Sequence, residues 1–413
     1  MLTAPGEYHV SAANLTLSFI PPEGAKPGGS YSLSRLGSVV TATGVSGVSF
    51  ENLEIRHSRG AGVQLVNSTD VVLKKCTVSD HGMMGLNISG GERCGIADSE
   101  IAGNGDAGVV LDGGDRISLT PSKHFARGCT VHHNQRWIMN YAPDVFMGGV
   151  GNSVEDSDIC KHSRVLSPDP TKRAANNGVV FFRRLAPDCR VHARQRPHHV
   201  RLPRARRRPP VQRLRGLLHG ARVDVPRQRT CSSSALFPLS PESDESCAQS
   251  ILNTTFSNLS SIFPKAHGQT SAVYLDDQLS SVNIEGNRFE NIDGRVMALG
   301  GGRHNRFVGN IVKQSAPTQG ISMDARGGGG SKCVGDGRLP FSFLSRVSYN
   351  TSSAWAKYPG LADILSDDPC EPKHNIISNN VLCGGVQNFS LTPAAVEAWG
   401  SEMQNNTAVA SCP

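Results

Sequence analysis

Aromatic residues are scarce in this chain of 413 residues, because Phe, Trp and Tyr together make up only 6% of it. Glycine is abundant, with 44 residues. A narrow coil with many turns has this composition, since it has little room for large side chains and needs left-handed backbone at its corners. The chain also lacks any run of 18 apolar residues, which excludes an ordinary membrane-spanning helix.

Closely spaced cysteine pairs are absent as well. The 11 cysteines form no CxxC or CxxxxC pair, so a zinc site of the usual spacing is not expected. Four cysteines at strand positions are predicted to be buried thiols: Cys76, Cys94, Cys129 and Cys160. Four later ones in loop-like sequence are candidates for pairing in an oxidising compartment: Cys333, Cys370, Cys383 and Cys412.

A signal peptide is not visible at the start of the sequence. Met1 to Gly6 contain neither a basic n-region nor an apolar h-region. Either the protein is not exported, or its sequence begins late. Strand-like sequence already begins at Tyr8, which favours a late start that omits an N-terminal cap and a signal peptide. Eight Asn-x-Ser/Thr sequons give weak support for secretion, because an Asn-rich coil generates many by chance.

The excess of positive over negative charge is confined to one block. Residues 190–229 hold 13 Arg and one acidic residue, whereas the rest of the chain holds 29 Lys and Arg against 34 Asp and Glu. The block has no interleaved aromatic residues for base stacking, so nucleic acid is not the predicted partner. Its Arg, Pro, Ala and Gly composition indicates a shifted reading frame. Advancing the frame by one nucleotide makes Arg194 to Pro197 compatible with Gly-Asn-Asp-His, and Arg213 to Gly220 with Asp-Ser-Gly-Ala-Phe-Tyr-Thr-Gly.

Segments of the chain recur at a fixed step of 23 residues. Tetrapeptides beginning at Gly62, Gly85 and Gly108 have this spacing, and so do those beginning at Gly286 and Gly309. Asn379-Asn380-Val381-Leu382 resembles the same corner after an insertion. A period in the low twenties is typical of a parallel β-helix, in which short strands stack about 4.8 Å apart and Asn stacks on Asn at successive corners.

We therefore predict an all-β fold, a single-stranded right-handed parallel β-helix (a solenoid) of about 23 residues per rung with loop insertions. A leucine-rich repeat would need Leu at fixed offsets, and a β-sandwich has no constant step. The predicted parts are N-terminal rungs at 1–162, a disrupted segment at 163–250, C-terminal rungs at 251–390 with an insertion at about 313–373, and a tail at 391–413.

Several ordered motifs support a family resemblance: Val150-Gly151-Asn152, Tyr274-Leu275-Asp276-Asp277, Gly300 to Asn305, Asp324-Ala325-Arg326-Gly327, and Trp355 to Leu361 followed by Pro372 and Asn375. The chain resembles right-handed β-helix proteins of the pectate-lyase-like superfamily over roughly 40–400, apart from the basic block. The resemblance implies an extracellular protein that binds an extended polysaccharide in a groove along one sheet. Lyases on this fold use a Lys or Arg base with a cation, often Ca²⁺, and hydrolases use paired Asp.

The candidate acid/base residues lie on three successive repeats. Asp276 or Asp277 is the predicted polar anchor or acid/base, His304 a proton carrier and Asp324 a further carboxylate. Arg303 and Arg326 are predicted to bind substrate carboxylates through bidentate hydrogen bonds. The alternative, with equal support, is that these Asp and Arg residues only satisfy turns and bridge rungs.

A second cluster contains Trp137 and Tyr141, which are predicted to stack on a sugar ring, next to His132 and His133, which also suit ordinary corners. The leading hypothesis is a carbohydrate-active protein, a polysaccharide lyase or a hydrolase. The alternatives are a non-catalytic binding or structural solenoid, and an inactive product of a faulty gene model. The predicted partner is a polysaccharide, with no nucleic acid and no membrane, and we expect a monomer. The metal is left open, with Ca²⁺ as the candidate.

Overall fold

The computed structural model describes residues 2–11, 13–21, 24, 33–115, 118–138, 142–160, 177–181, 249–259, 270–276, 279–314, 320–325, 366–368, 371–384, 389 and 391–413. These residues belong to one compact unit formed by 1–184 and 244–413. Among the predicted site residues, Asp277, Arg326 and Tyr141 lie outside the described residues, and so does the basic block at 190–229.

Three ladders of parallel strands form the body of this unit. The first ladder consists of β3 (Val40–Thr43), the first half of β6 (Val63–Lys74), β8 (Leu86–Glu92), β11 (Val109–Gly113), β14 (Val145–Gly149), β17 (Asn177–Phe181), β20 (Thr270–Leu275), β23 (Gly294–Gly300) and β26 (Ile321–Asp324). An antiparallel hairpin of β1 (Tyr8–Ser11) and β2 (Thr16–Phe19) precedes it.

The second and third ladders complete each rung. The second ladder consists of β4 (Ser46–Glu51), the second half of β6, β9 (Gly95–Ala97), β12 (Phe125–Arg127), β15 (Ser153–Glu155), β18 (Gln249–Leu252), β21 (Val282–Glu285), β24 (Arg306–Val308), β27 (Ile376–Ser378) and β29 (Glu402–Gln404). The third consists of β5 (Glu54–Arg56), β7 (Thr77–Ser79), β10 (Glu100–Ala102), β13 (Thr130–His132), β16 (Asp158–Cys160), β19 (Thr255–Ser257), β22 (Arg288–Glu290), β25 (Ile311–Lys313), β28 (Val381–Cys383) and β30 (Thr407–Ala408).

The register shows how far the repeat extends. In the third ladder, successive paired residues are 23, 23, 30, 28, 97, 33, 23, 70 and 26 positions apart. The 23-residue step therefore holds for the early rungs and for one later rung, and the other rungs carry insertions. Since Ile159 pairs with Phe256, the rungs on both sides of the basic block form one continuous coil.

The core lies inside the coil, where alternate strand residues of each rung stack in columns. Val63, Leu86, Val109 and Val145 form one such buried column in the first ladder. The later rungs hold an aromatic stack. Phe256 and Phe289 lie with ring centroids 4.9 Å apart, and Phe289 and Phe307 with centroids 5.6 Å apart.

The second corner, between the second and third ladders, shows why Asn recurs. Each Asn backbone amide donates to the side-chain oxygen of the Asn one rung later, from Asn287 to Asn310 (2.9 Å), from Asn310 to Asn380 (2.9 Å) and from Asn380 to Asn406 (3.1 Å). The side chains satisfy buried backbone groups that the turn removes from the strand ladders. The predicted stacking of Asn on Asn is confirmed, including across the insertion before Asn380.

Two parts of the predicted organisation need correction. Residues 391–413, predicted to be a tail, form the last rung, because β29 pairs with β27 and β30 with β28. The short helix α1 (Pro393–Glu397) opens this rung, with the Thr392 hydroxyl accepting a hydrogen bond from the Ala395 amide (3.2 Å). Within the segment predicted to be disrupted, β17 pairs in parallel with β14 and β20.

The cysteines follow the predicted division where they are described. Cys76, Cys94 and Cys129 are buried free thiols, and Cys160 is half-buried. Cys383 and Cys412 form a disulfide that ties the last rung to β28. None of the helices in the described part of the chain has the length and hydrophobicity of a transmembrane helix.

A buried histidine makes the stability of the coil depend on pH. His124 is fully buried at the first corner, between the first and second ladders, where its Nδ1 accepts a hydrogen bond from the Cys94 amide (3.1 Å). Burial lowers the pKa of His124 to about 4, from 6.5 for the unfolded side chain. The neutral ring therefore supports the fold above about pH 6.5. We expect about 2–3 kcal/mol of stability to be lost as the pH falls from 6.5 to 4.

The matched variant for this prediction is His124→Asn, because Asn Oδ1 can replace Nδ1 as the acceptor and Asn152 occupies the same corner position one rung later. Urea unfolding between pH 4 and 7 should show a flatter pH dependence for H124N than for the unchanged chain. Parallel pH profiles for the two proteins would contradict the assignment.

Candidate functional site

The outer face of the first ladder carries two columns of outward-facing residues. The first column is Thr41, Gln64, Asn87, Val110, Phe146, Tyr274, Ala298 and Ser322. The second column is Thr43, Val66, Ser89, Asp112, Gly148, Asp276, Gly300 and Asp324. Their positions alternate with those of the buried core residues, so both columns face away from the interior.

Two of the predicted aspartates share the second column. Asp276 directly follows β20, Gly300 ends β23 and Asp324 ends β26, and Gly300 pairs with Asp324 in register. The Cα atoms of Asp276 and Asp324 are therefore two strand spacings apart, about 10 Å. Asp276 is 6% exposed, whereas Asp324 is exposed. The two residues therefore flank Gly300 in one column and differ in exposure.

Aromatic side chains lie in the neighbouring column. Tyr274 is in register with Ala298 on one side and, across β17, with Phe146 on the other, and both aromatic side chains are half-buried. The first-column residues on these three strands are Tyr274, Ala298 and Ser322, so Tyr274 has the largest side chain of the three. Trp137, which was also predicted to stack on a sugar, lies outside both columns, in the corner between β13 and β14.

Arg303 and His304 form the first corner of the rung that begins with β23. The Arg303 side chain is only 4% exposed, and its Nη1 lies 2.9 Å from Asp367 Oδ2. Its guanidinium also donates to the backbone carbonyls of Asp367, Asp368 (2.7 Å) and Glu371 (3.3 Å). In the described structure Arg303 anchors this loop, and its predicted role in binding substrate stays a prediction.

Asp367 is the centre of a charged cluster, which we call the Asp367 cluster: Arg303, His304, Asp367, Asp368, Lys373 and His374. Lys373 binds both Asp367 and Asp368, and His374 Nε2 lies 2.7 Å from Asp367 Oδ2. Partial burial would raise the pKa of Asp367, but hydrogen bonds from Lys373 and His374 and the charge of Arg303 outweigh it, so the pKa is lowered.

His304 is stacked on His374, with ring centroids 4.9 Å apart and planes at 13°. The pKa of His304 is lowered. Desolvation is the largest cause, and the neighbouring His374 and Arg303 lower the pKa further. More than a third of His304 is exposed, so solvent screening weakens this effect. The imidazole is therefore neutral at pH 7 and able to accept a proton only under acidic conditions.

Sequence reasoning identified part of this arrangement and missed part. Asp276, Arg303 and Asp324 do lie on three adjacent rungs, in the predicted order. Asp367, Lys373 and His374 were not predicted as site residues. The available signal was the run of charged residues from Asp367 to His374, which directly precedes the corner residue Asn375.

The second predicted cluster is built differently from the first. Trp137 is 58% exposed, and the Arg136 guanidinium lies 5.7 Å from its ring centroid. His132 binds Glu100 (3.0 Å) and contacts His133, which has a left-handed backbone (φ 54°). These histidines occupy the third ladder and its corner, so the structure does not bring them to the Asp276–Gly300–Asp324 column.

In the parts of the chain that the structure describes, no group of three or more His, Cys, Asp or Glu side chains is arranged to hold a metal ion. Residues 38–165 match the family model described as right handed beta helix region. No curated protein and no solved structure matches the chain. The family match gives the hand of the coil, and the parallel register gives its continuity from β3 to β30. The chain is therefore a right-handed parallel β-helix protein, and its resemblance to such proteins is confirmed.

Proposed function

We propose that the protein is carbohydrate-active and binds an extended polysaccharide along the outer face of the first ladder. The observation that carries the proposal is the Asp276–Gly300–Asp324 column beside Tyr274. Parallel strands repeat every 4.8 Å or so, which gives a long polymer equivalent positions along the coil. An aromatic ring next to carboxylates offers a sugar both a stacking surface and strong hydrogen-bond acceptors.

The arrangement favours hydrolysis over β-elimination. Inverting glycosidases hold their two carboxyl groups about 6.5–9.5 Å apart, with water between them. Side chains of Asp276 and Asp324 that lean over Gly300 bring their carboxyl groups into this range from a Cα separation of about 10 Å. A lyase would need a Lys or Arg base on this face, and that alternative depends on Arg326.

A test is to incubate the full chain with a panel of neutral and acidic polysaccharides. New reducing ends without ultraviolet absorbance would indicate hydrolysis, and absorbance from unsaturated uronate would indicate lyase chemistry. Asp276→Asn and Asp324→Asn should each reduce turnover by about 10²-fold or more, as loss of a general acid or base does. Asp112→Asn, three rungs away in the same column, is the matched control and should retain turnover.

A non-catalytic binding solenoid is the second candidate, and the Asp367 cluster favours it. Arg303 and His304 are engaged with Asp367 and His374 rather than presented to the outer face. Polymer binding without any product, unchanged by D276N, would support this candidate. Failure of the chain to bind any polysaccharide would contradict both.

The Cys383–Cys412 disulfide supports an extracellular setting for this activity, because disulfides persist mainly in oxidising compartments. Mass spectrometry of the secreted protein before and after reduction tests this point.

A further inference from the structure

We infer that the corner between β13 and β14 is a second sugar-binding site, formed by Asp106, Gln135 and Trp137. The inference rests on the proposed function for its ligand class, a polysaccharide, and adds a site outside the two columns of the first ladder. The three residues combine a carboxylate, a buried amide without a partner and an exposed aromatic ring. Together they offer a sugar hydrogen-bond acceptors, a donor and a stacking surface.

Backbone hydrogen bonds bring these residues together on two adjacent rungs. The Gln135 backbone amide donates to the Asp106 carbonyl oxygen (2.9 Å). The Trp137 backbone amide donates to the Gly105 carbonyl oxygen, also at 2.9 Å. Gln135 and Trp137 therefore lie directly against the Gly105-Asp106 segment of the preceding rung, and a sugar bound at this corner contacts both rungs.

Gln135 carries the strongest sign of a missing partner. It is 3% exposed, and in the described structure neither Oε1 nor Nε2 of its side chain has a hydrogen-bond partner. A buried amide left unpaired is rare in folded proteins, because its donor and its acceptor both lose their hydrogen bonds to water. A sugar hydroxyl, which donates and accepts, satisfies such a group, and so does a trapped water. The experiment must separate the two.

Trp137 supplies a stacking surface that is already held in place. A Cβ at Gly105 would collide with Trp137 Cδ1, so the edge of the indole packs directly on the backbone there. The Arg136 guanidinium lies 5.7 Å from the ring centroid and is itself bound to the Gly103 carbonyl oxygen (3.0 Å) and Asp80 (3.4 Å). Trp137 nevertheless remains 58% exposed. A ring fixed before binding loses little conformational entropy when a sugar stacks on it.

Asp106 adds an acceptor that is partly withdrawn from water. Its Oδ1 accepts a hydrogen bond from the Ala107 backbone amide (2.8 Å), the one hydrogen bond that this carboxylate makes to the described residues. Burial raises the pKa of Asp106 above its usual value. A hydrogen bond from a sugar hydroxyl to a partly desolvated carboxylate is stronger than the same bond in water.

The corner borders the face to which we assign the polysaccharide. It leads from β13 into β14, whose outward residue Phe146 lies in the first column. β14 is two strands from β20, about 10 Å along the coil, because β17 pairs with both. A polymer on the outer face is therefore within reach of the corner.

Affinity electrophoresis of the full chain tests the inference. Each gel would contain one soluble glucan, xylan, galactan or polygalacturonate at neutral pH. Trp137→Ala should weaken the binding of a retained polymer by about three- to tenfold, the value of one aromatic stacking contact. Ile138→Ala removes an exposed apolar side chain next to Trp137 and is the matched control, which should bind as the unchanged chain does.

Gln135→Leu separates a bound sugar from a trapped water. Leucine keeps much of the side-chain volume and removes the unpaired amide, so Q135L should be at least as stable in urea as the unchanged chain. Because the amide binds a sugar hydroxyl in this proposal, Q135L should nonetheless lose about three- to tenfold in affinity. Weaker binding without loss of stability is the expected result.

Unchanged affinity in W137A or in Q135L would overturn the inference, and an unaffected Q135L would leave a trapped water as the partner of Gln135. The double variant D276N/D324N separates this outcome from failure of the proposed function. Binding that D276N/D324N weakens and W137A does not would leave the proposed function standing alone. Binding that W137A and Q135L weaken and D276N/D324N does not would support the corner site and contradict binding on the outer face. Failure to bind any polymer would overturn both.

Discussion

Replacing Asp367 by alanine is expected to lower the free energy of unfolding by about 3–4 kcal/mol, because it leaves a buried guanidinium without its counter-ion. Arg303 is 4% exposed, and Asp367 is its described carboxylate partner. Backbone carbonyls of Asp368 and Glu371 still accept its hydrogen bonds, which keeps the loss at the lower end of the range for uncompensated buried charges. Urea unfolding of the variant measures the effect.

A double-mutant cycle separates this cause from general loosening of the loop. Arg303→Met removes the charge and keeps much of the side-chain volume, so R303M should cost less than D367A. R303M/D367A should be more stable than D367A alone, since no buried charge remains. Strictly additive losses in the cycle would show that the ion pair is not the reason for the destabilisation.

Phe289→Ala should lower the free energy of unfolding by about 4 kcal/mol, a typical cost of deleting a buried aromatic side chain. Phe289 is fully buried and stacks between Phe256 and Phe307. The substitution opens a cavity between adjacent rungs and removes two aromatic contacts, each worth about 0.5–1.5 kcal/mol. Thermal and urea unfolding would report the loss.

Phe289→Leu is the matched control, because it retains apolar volume and removes only the stacking. It should cost about half as much as F289A. Hydrogen exchange should show lost protection mainly in β19, β22 and β25, because each rung contacts only its neighbours. A uniform loss of protection across the whole coil would contradict this local picture.

The repeat step and the corner residues made much of the fold predictable from sequence. Gly286-Asn287 and Gly309-Asn310 place one left-handed Gly and one stacking Asn at the second corner of each rung, and the structure uses them that way. The last rung escaped prediction because its step is 26 residues rather than 23 and because α1 lies between β28 and β29. A short helix within a rung breaks the sequence period without breaking the register of the strands.

The candidate site was predictable only in part, for a related reason. Asp276 and Asp324 belong to repeats, so their alignment follows from strand alternation once the rungs are counted. Asp367 reaches Arg303 across 64 residues of sequence, through an insertion whose path no period defines. Contacts of this kind depend on where a loop returns to the coil, and local patterns carry no such information.

The Asn ladder at the second corner also bears on how such a chain can change over time. Asn287 and Asn310 are 23 residues apart, whereas Asn310 and Asn380 are 70 apart, yet the amide-to-side-chain bond is 2.9 Å in both cases. The corner Asn thus fixes the position of the strand that follows an inserted loop, whatever the length of that loop. The inserted loops can therefore be exchanged, lengthened or deleted as separate modules, and a new binding specificity can be added to an unchanged coil.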